Sequence, residues 1–186
     1  MIGALVAGIT GSGGAVLSSY ESIATASGTG SSTTINFSSI PSGFKHLQIR
    51  GIVQEVGTGT TGVLRVRFNS DTGSNYAYHT LSGDGATATA SGNATVAFMN
   101  VANTSRNSSY ADTLGSFVID ILDYGSTSKY KTLRSTYGVD LNGSGISGIQ
   151  SGLWQSTSAI TSIDLYAASL NLSTKSTIAL YGIKEA

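Results

Sequence analysis

Ser116-Phe-Val-Ile-Asp-Ile-Leu-Asp-Tyr124, followed by Lys129-Tyr-Lys-Thr-Leu-Arg-Ser-Thr-Tyr-Gly138, decides the fold class. Side chains alternate in character along both runs, the period-two signature by which a strand sorts an inner from an outer face. The pattern predicts two β-strands joined by the four-residue polar loop Gly125-Ser-Thr-Ser128. On pleat parity Ile119 and Ile121 share one face, and Val118, Asp120 and Leu122 share the other. Both faces are partly apolar, so one is expected to pack the core and the other to touch a partner or an overlying segment.

Similar blocks recur on either side of this pair. Strands are expected near 20–26, 32–37, 45–53, 62–68, 75–81, 94–101, 114–124, 129–138, 147–155, 161–167 and 176–183, separated by Gly-, Ser-, Asn- and Thr-rich turns. Helical periodicity is nearly absent, and 24 glycines oppose long helices. The expected architecture is all-β, an antiparallel sandwich of two packed sheets. A jelly roll is the first choice and another Greek-key sandwich the second. The longest loop-like stretches are Ser82 to Asn93 and Asn103 to Ser109, expected at an edge or tip.

Composition narrows the function classes. With 186 residues, the chain suits one domain with a real core. Ten basic and ten acidic residues give zero formal net charge. No basic stripe is available for phosphates, so nucleic acid is not an expected partner. Zero net charge favours self-association. Cysteine is absent, which removes disulfides and thiolate metal sites. Oligomerisation is the expected stabiliser.

Residues 1–10, Met-Ile-Gly-Ala-Leu-Val-Ala-Gly-Ile-Thr, are apolar but fall well short of the roughly 20 residues of a membrane span, so no membrane is expected. No basic residue precedes the run, unlike a signal peptide. It reads as an arm that docks on a neighbouring subunit through Met1, Ile2, Leu5, Val6 and Ile9, or as a first strand tucked against its own domain. The expected organisation is an arm with its Gly/Ser connection over 1–18 and a β-sandwich domain over 19–186.

Four pieces of the chain carry a family look. They are Tyr20-Glu-Ser-Ile-Ala-Thr25; Phe37-Ser-Ser-Ile-Pro-Ser-Gly-Phe-Lys-His-Leu-Gln-Ile-Arg-Gly-Ile52; Val118-Ile-Asp-Ile-Leu-Asp-Tyr124 with Lys129-Tyr-Lys-Thr-Leu-Arg134; and Gly152-Leu-Trp154 with Ala159-Ile-Thr-Ser-Ile163 and Ala179-Leu-Tyr-Gly-Ile-Lys184. This pattern resembles small structural proteins of tailed bacteriophages, especially those of cyanobacteria and other aquatic bacteria. The resemblance implies a virion location and a role as head decoration (cement), fibre or tail component. By analogy with virion appendages it implies a homotrimer contacting other virion proteins, such as the major capsid protein. No catalytic residue belongs to the pattern.

Individual constellations add little chemistry. Gly143-Ser-Gly-Ile-Ser-Gly148 has dinucleotide-loop spacing but lies between strands rather than between a strand and a helix, so it reads as a tight turn. Asn69-Ser-Asp-Thr-Gly-Ser-Asn75 offers oxygen ligands for a hard cation, yet a hairpin loop uses the same residues, and the loop reading is preferred. Asp120 and Asp123 fall on opposite faces, which separates them as a catalytic pair. Either could pair with Lys129, Lys131 or Arg134. His46 and His79 are the only histidines, and no activated nucleophile pattern accompanies them. No enzyme, cofactor or metal is therefore expected. Arg65 and Arg67 share the outer face of a strand whose Leu64, Val66 and Phe68 face inward; they are candidates for sugar, carboxylate or intersubunit contact. Tyr76 and Tyr78 share one face beside expected loops. They are candidate stacking platforms for a host glycan, with core filling as the alternative.

Overall fold

The computed structural model describes residues 19–184. Twelve strands are present among them: β1 (Tyr20–Ser27), β2 (Thr34–Phe37), β3 (His46–Glu55), β4 (Thr61–Phe68), β5 (Tyr76–Gly83), β6 (Ala88–Val96), β7 (Met99–Arg106), β8 (Gly115–Leu122), β9 (Lys131–Asp140), β10 (Gly145–Trp154), β11 (Ile163–Ala167) and β12 (Thr177–Ile183). The large sheet runs β1-β12-β3-β8-β9-β10-β5-β6 and is antiparallel throughout. The small sheet runs β2-β11-β4-β7, also antiparallel. A short parallel seam, Gln54 with Ser105 and Glu55 with Arg106, joins them. The expected all-β antiparallel sandwich is the fold observed.

The pairings nest. β1 pairs β12, β2 pairs β11, β3 pairs β8 and β4 pairs β7, as though one long antiparallel ribbon had been rolled up. Two hairpins, β5–β6 and β9–β10, are inserted into this ribbon and widen the large sheet.

Period-two alternation builds the core. In β4, Leu64, Val66 and Phe68 are fully buried, while Val63, Arg65 and Arg67 point outward. In β8, Phe117, Ile119 and Ile121 are buried; Val118 and Leu122 are exposed, with Asp120 between them on the same side. The small sheet packs its Leu64, Val66, Met99, Val101 and Leu165 onto Ile119, Leu133 and Trp154 of the large one. Two polar side chains turned inward find partners in backbone carbonyls. The Ser135 hydroxyl donates to the Val101 carbonyl at 2.5 Å. The Lys131 amine reaches the carbonyls of Lys129 and Thr157 at 3.0 and 3.2 Å. Burial holds that amine below the usual lysine range, with the nearby Lys129 charge acting the same way.

Four expectations are corrected. The loop joining β8 to β9 spans residues 123–130, not only Gly125–Ser128. Asp123 takes a positive φ of 48° and ends the pleat, and Tyr124 turns inward to donate its hydroxyl to the Pro41 carbonyl. Most of Ser82 to Asn93 is strand rather than loop, the turn proper being only residues 84–87. Asp84 closes that turn by accepting the Ala86 and Thr87 N–H groups at 2.9 and 2.7 Å. Asn103 to Arg106 continues β7, where Thr104 and Ser105 are buried; the expected strand 94–101 divides between β6 and β7. In β6 and at the end of β7 small polar residues stand where apolar alternation would have signalled a strand.

Candidate interaction face on the large sheet

The outer side of the large sheet is the face the small sheet does not cover, and strand register fixes what it displays. One row reads His79, Ser151, Arg134, Asp120 and Gln48 across β5, β10, β9, β8 and β3. The next reads Leu81, Ile149, Thr136, Val118 and Arg50. On the other side of the polar row lie Ala77, Leu153, Thr132 and Leu122.

Large apolar side chains are left in solvent here. Leu81 and Ile149 are each 52% exposed and directly paired, Leu122 is 48% exposed and Val118 37%. Ile52, 46% exposed, extends the same face on β3. Between β5 and β8 the surface sinks into an open depression of about 630 Å³ lined by His79, Asp120, Leu122, Arg134, Ser151 and Leu153. A neighbouring hollow of about 350 Å³ shares His79, Arg134 and Ser151 and includes Leu81 and Ile149.

The polar groups of the face are tied to one another. Asp120 stands opposite Arg134, but its carboxylate accepts the Gln48 amide at 2.6 Å. Gln48 in turn accepts from Arg50 Nε at 2.6 Å. The Arg50 guanidinium lies 5.6 Å from the ring centres of both Tyr20 and Tyr181. The His79 ring leans over Gly92 of β6, where a Cβ would sit 2.6 Å from its Cδ2. Ser151 is paired on the other side of His79.

Asp123 pairs with Lys129 at 2.5 Å, with Lys45 at 3.6 Å, and accepts no contact from Arg134 or Lys131. Its hydrogen bond from Lys129 holds the carboxyl below the usual range. His46 accepts the Asp123 N–H through Nδ1 at 3.0 Å. His46 and His79 lie on β3 and β5, separated by three intervening strands of the sheet.

The candidate residues nominated above fall in three places. Met1, Ile2, Leu5, Val6 and Ile9 lie outside the described residues. Arg65 and Arg67 do face outward from the small sheet, but each lies over a ring. Arg65 stacks 3.8 Å from the Phe98 centroid and its Nε donates to Asn100 at 3.3 Å. Arg67 lies 4.8 Å from the Tyr166 centroid and its Nε donates to the Ala97 carbonyl at 2.9 Å.

Tyr76 and Tyr78 are a correction: they are 0% and 7% exposed and point into the core, so neither offers a ring face to a sugar. Tyr76 stacks on Trp154 with 6.3 Å between centroids, and its hydroxyl bonds the Phe68 backbone. Burial pushes that phenol well above its ordinary range. The Tyr78 hydroxyl accepts from Asn100 at 2.9 Å. The residues that β5 does present are Ala77, His79 and Leu81. The same alternation that paired the tyrosines contains this signal, but choosing the inner set required knowing which side the small sheet covers.

The Asn69–Asn75 loop spends its oxygens on the protein itself. Asp71 Oδ1 accepts the Gly73 N–H at 2.8 Å, and Oδ2 accepts the Trp154 indole at 2.7 Å and the Asn75 amide at 3.0 Å. Asn69 Oδ1 accepts the backbone of Thr161 and Ser162 at 2.8 and 3.1 Å. The segment is a loop, as expected, but not a hairpin: it carries the chain from β4 of the small sheet to β5 of the large one, which do not pair.

Comparison with family models, with curated proteins and with solved structures finds no match to this chain.

Proposed function

We propose that this chain is a structural protein on the exterior of a bacteriophage particle, a head decoration or cement protein that acts by burying surface rather than by chemistry. The nested pairing of β1–β12, β2–β11, β3–β8 and β4–β7 supports reading the sandwich as a jelly roll, an architecture used by viral capsid and lectin domains. The observation that carries the functional reading is the outer face of the large sheet, where Leu81, Ile149, Val118 and Ile52 on one side of the polar row and Leu122 on the other stand exposed. Contiguous apolar surface of this kind marks contact sites. Burying it yields about 25 cal/mol per Å² before the cost of association is subtracted. The apolar residues 1–10 would supply a second contact, anchoring each copy to a neighbouring subunit, and the assembly would be a homo-oligomer, by analogy a trimer.

The test is to add purified chain to particles that lack it and follow co-sedimentation. Saturable binding in numbers matching the head lattice supports decoration. A few copies per particle would move the chain to the tail, fibre or baseplate. No binding would overturn the reading.

The hydrogen-bonding row His79, Ser151, Arg134 and Asp120 in the 630 Å³ depression favours a second reading, contact with a host-surface glycan. Glycan-array binding that Arg134→Ala abolishes would support it.

A further inference from the structure

The two sheets leave four edges, and three of them are guarded. β1 carries a bulge between Ser22 and Ala24 and a charged residue, Glu21, paired with Lys184 at 2.8 Å. β2 is only four residues long. β7 meets the end of β3 through the parallel seam at Gln54–Ser105 and Glu55–Arg106. Bulges, charges, shortness and coverage are the devices by which native sheets prevent edge pairing.

β6 is different. It runs nine residues, Ala88-Thr-Ala-Ser-Gly-Asn-Ala-Thr-Val96, with no charge and no proline, and the first eight are exposed. Among the described residues, β5 is its one strand partner. Ala88 to Asn93 follow a regular register with β5, and the irregularity lies beyond, where Thr95 takes a φ of 58°. A row of unpaired N–H and C=O groups is thus presented on a straight segment that no side chain protects.

We propose that β6 is a self-association edge, which pairs antiparallel with β6 of a second copy so that the two large sheets become one continuous sheet. The sequence of the strand favours a second copy as occupant. A two-fold contact places a strand against its own reverse. Ala, Thr, Ser, Gly and Asn oppose one another without steric or charge conflict in any such register, whereas a strand bearing one lysine or glutamate near its centre would meet its own like charge. The chain's zero net charge removes long-range repulsion between copies. The partner strand can approach because exposure of both faces of β6 leaves the edge sterically open. This pairing does not depend on the virion role, and being two-fold it is a contact separate from any three-fold one that would build a trimer.

The chain contains no cysteine, so a single-cysteine scan along Thr89 to Asn93 reads the contact cleanly. In a two-fold antiparallel pair one residue lies opposite its own copy, and only near it do two cysteines approach within bonding distance. The expected result is oxidative dimer formation with one sharp maximum along the scan. A flat profile without dimer, or equal yield at every position on one face, overturns the proposal. The full-length chain carrying Ala90→Lys provides the independent reading by sedimentation. Self-association weakened at least about tenfold, with an unchanged melting temperature, supports the edge. Association equal to wild type, or a wild-type chain that remains monomeric at high concentration, overturns it.

Discussion

The Asp71 carboxylate accepts the indole N–H of Trp154 at 2.7 Å, tying the β4–β5 connection to the end of β10. Trp154 is buried, stacked on Tyr76 and edge-on to Phe68 with 5.7 Å between centroids. One carboxylate therefore orients the largest aromatic group of the core. Burial alone would raise its pKa, but the hydrogen bonds from Trp154, Asn75 and the Gly73 N–H together hold it below the usual carboxylate range.

Asp71→Ala is expected to destabilise the fold by roughly 1–3 kcal/mol, since it leaves a buried indole donor without its partner. The depressed pKa sets the sign of the pH dependence. The contribution is present above the unfolded carboxyl pKa of about 3.9 and is lost as pH falls through the lower folded value. Urea titrations followed by the fluorescence of the single tryptophan should show this acid loss in the wild type and a smaller one in Asp71→Asn.

Glu55 behaves in the opposite way. It is fully buried at the seam between the sheets, and burial raises its pKa against the lowering influence of the Thr104 hydroxyl at 2.9 Å and of Arg106. A raised carboxyl pKa gives a contribution fully present below the unfolded value and lost as pH rises through the folded one. Glu55→Gln should therefore gain on the wild type as pH is raised from the unfolded carboxyl value of about 4.3 towards neutrality. A melting series across that range checks it. Gly62→Ala tests the same pocket sterically, because a Cβ there would lie 2.0 Å from Glu55 Oε1. A cost of about 1–3 kcal/mol is expected.

The exposed pair Leu81 and Ile149 separates folding from attachment. Changing both to Thr removes apolar contact area from the outer face without setting like charges opposite each other, and leaves the core untouched. The variant should melt within about 1 kcal/mol of wild type, as surface changes do. In co-sedimentation with particles it should bind at least tenfold more weakly.

Deleting residues 1–18 tests the arm. The expected outcome is a folded sandwich, judged by circular dichroism and melting, that no longer attaches to particles. A truncated chain that binds normally would remove the arm from the account.

How far the sequence was readable depended on what each strand faces. Along β4 the inner set Leu64, Val66 and Phe68 was legible at once, whereas in β8 both faces are partly apolar, so Ile119 and Ile121 could be grouped on one face but not assigned to the core. β6 has no core beneath it, so Ala, Thr and Ser suffice and the strand reads as a loop. Tyr76 and Tyr78 could be paired on one face from parity alone. Their burial depends on β7 crossing beneath β5, a contact between distant segments that no local pattern encodes. The interaction face was legible only as a suggestion, in Val118 and Leu122 sharing a side with Asp120. Its full width came from register among five strands.

A cryo-electron microscopy map of the intact particle tests the central claim most directly. The account predicts many copies in register with the head lattice, with Leu81, Ile149 and Leu122 on the large sheet covered by neighbouring protein. A chain absent from the particle, or present with that face open to solvent, would contradict it.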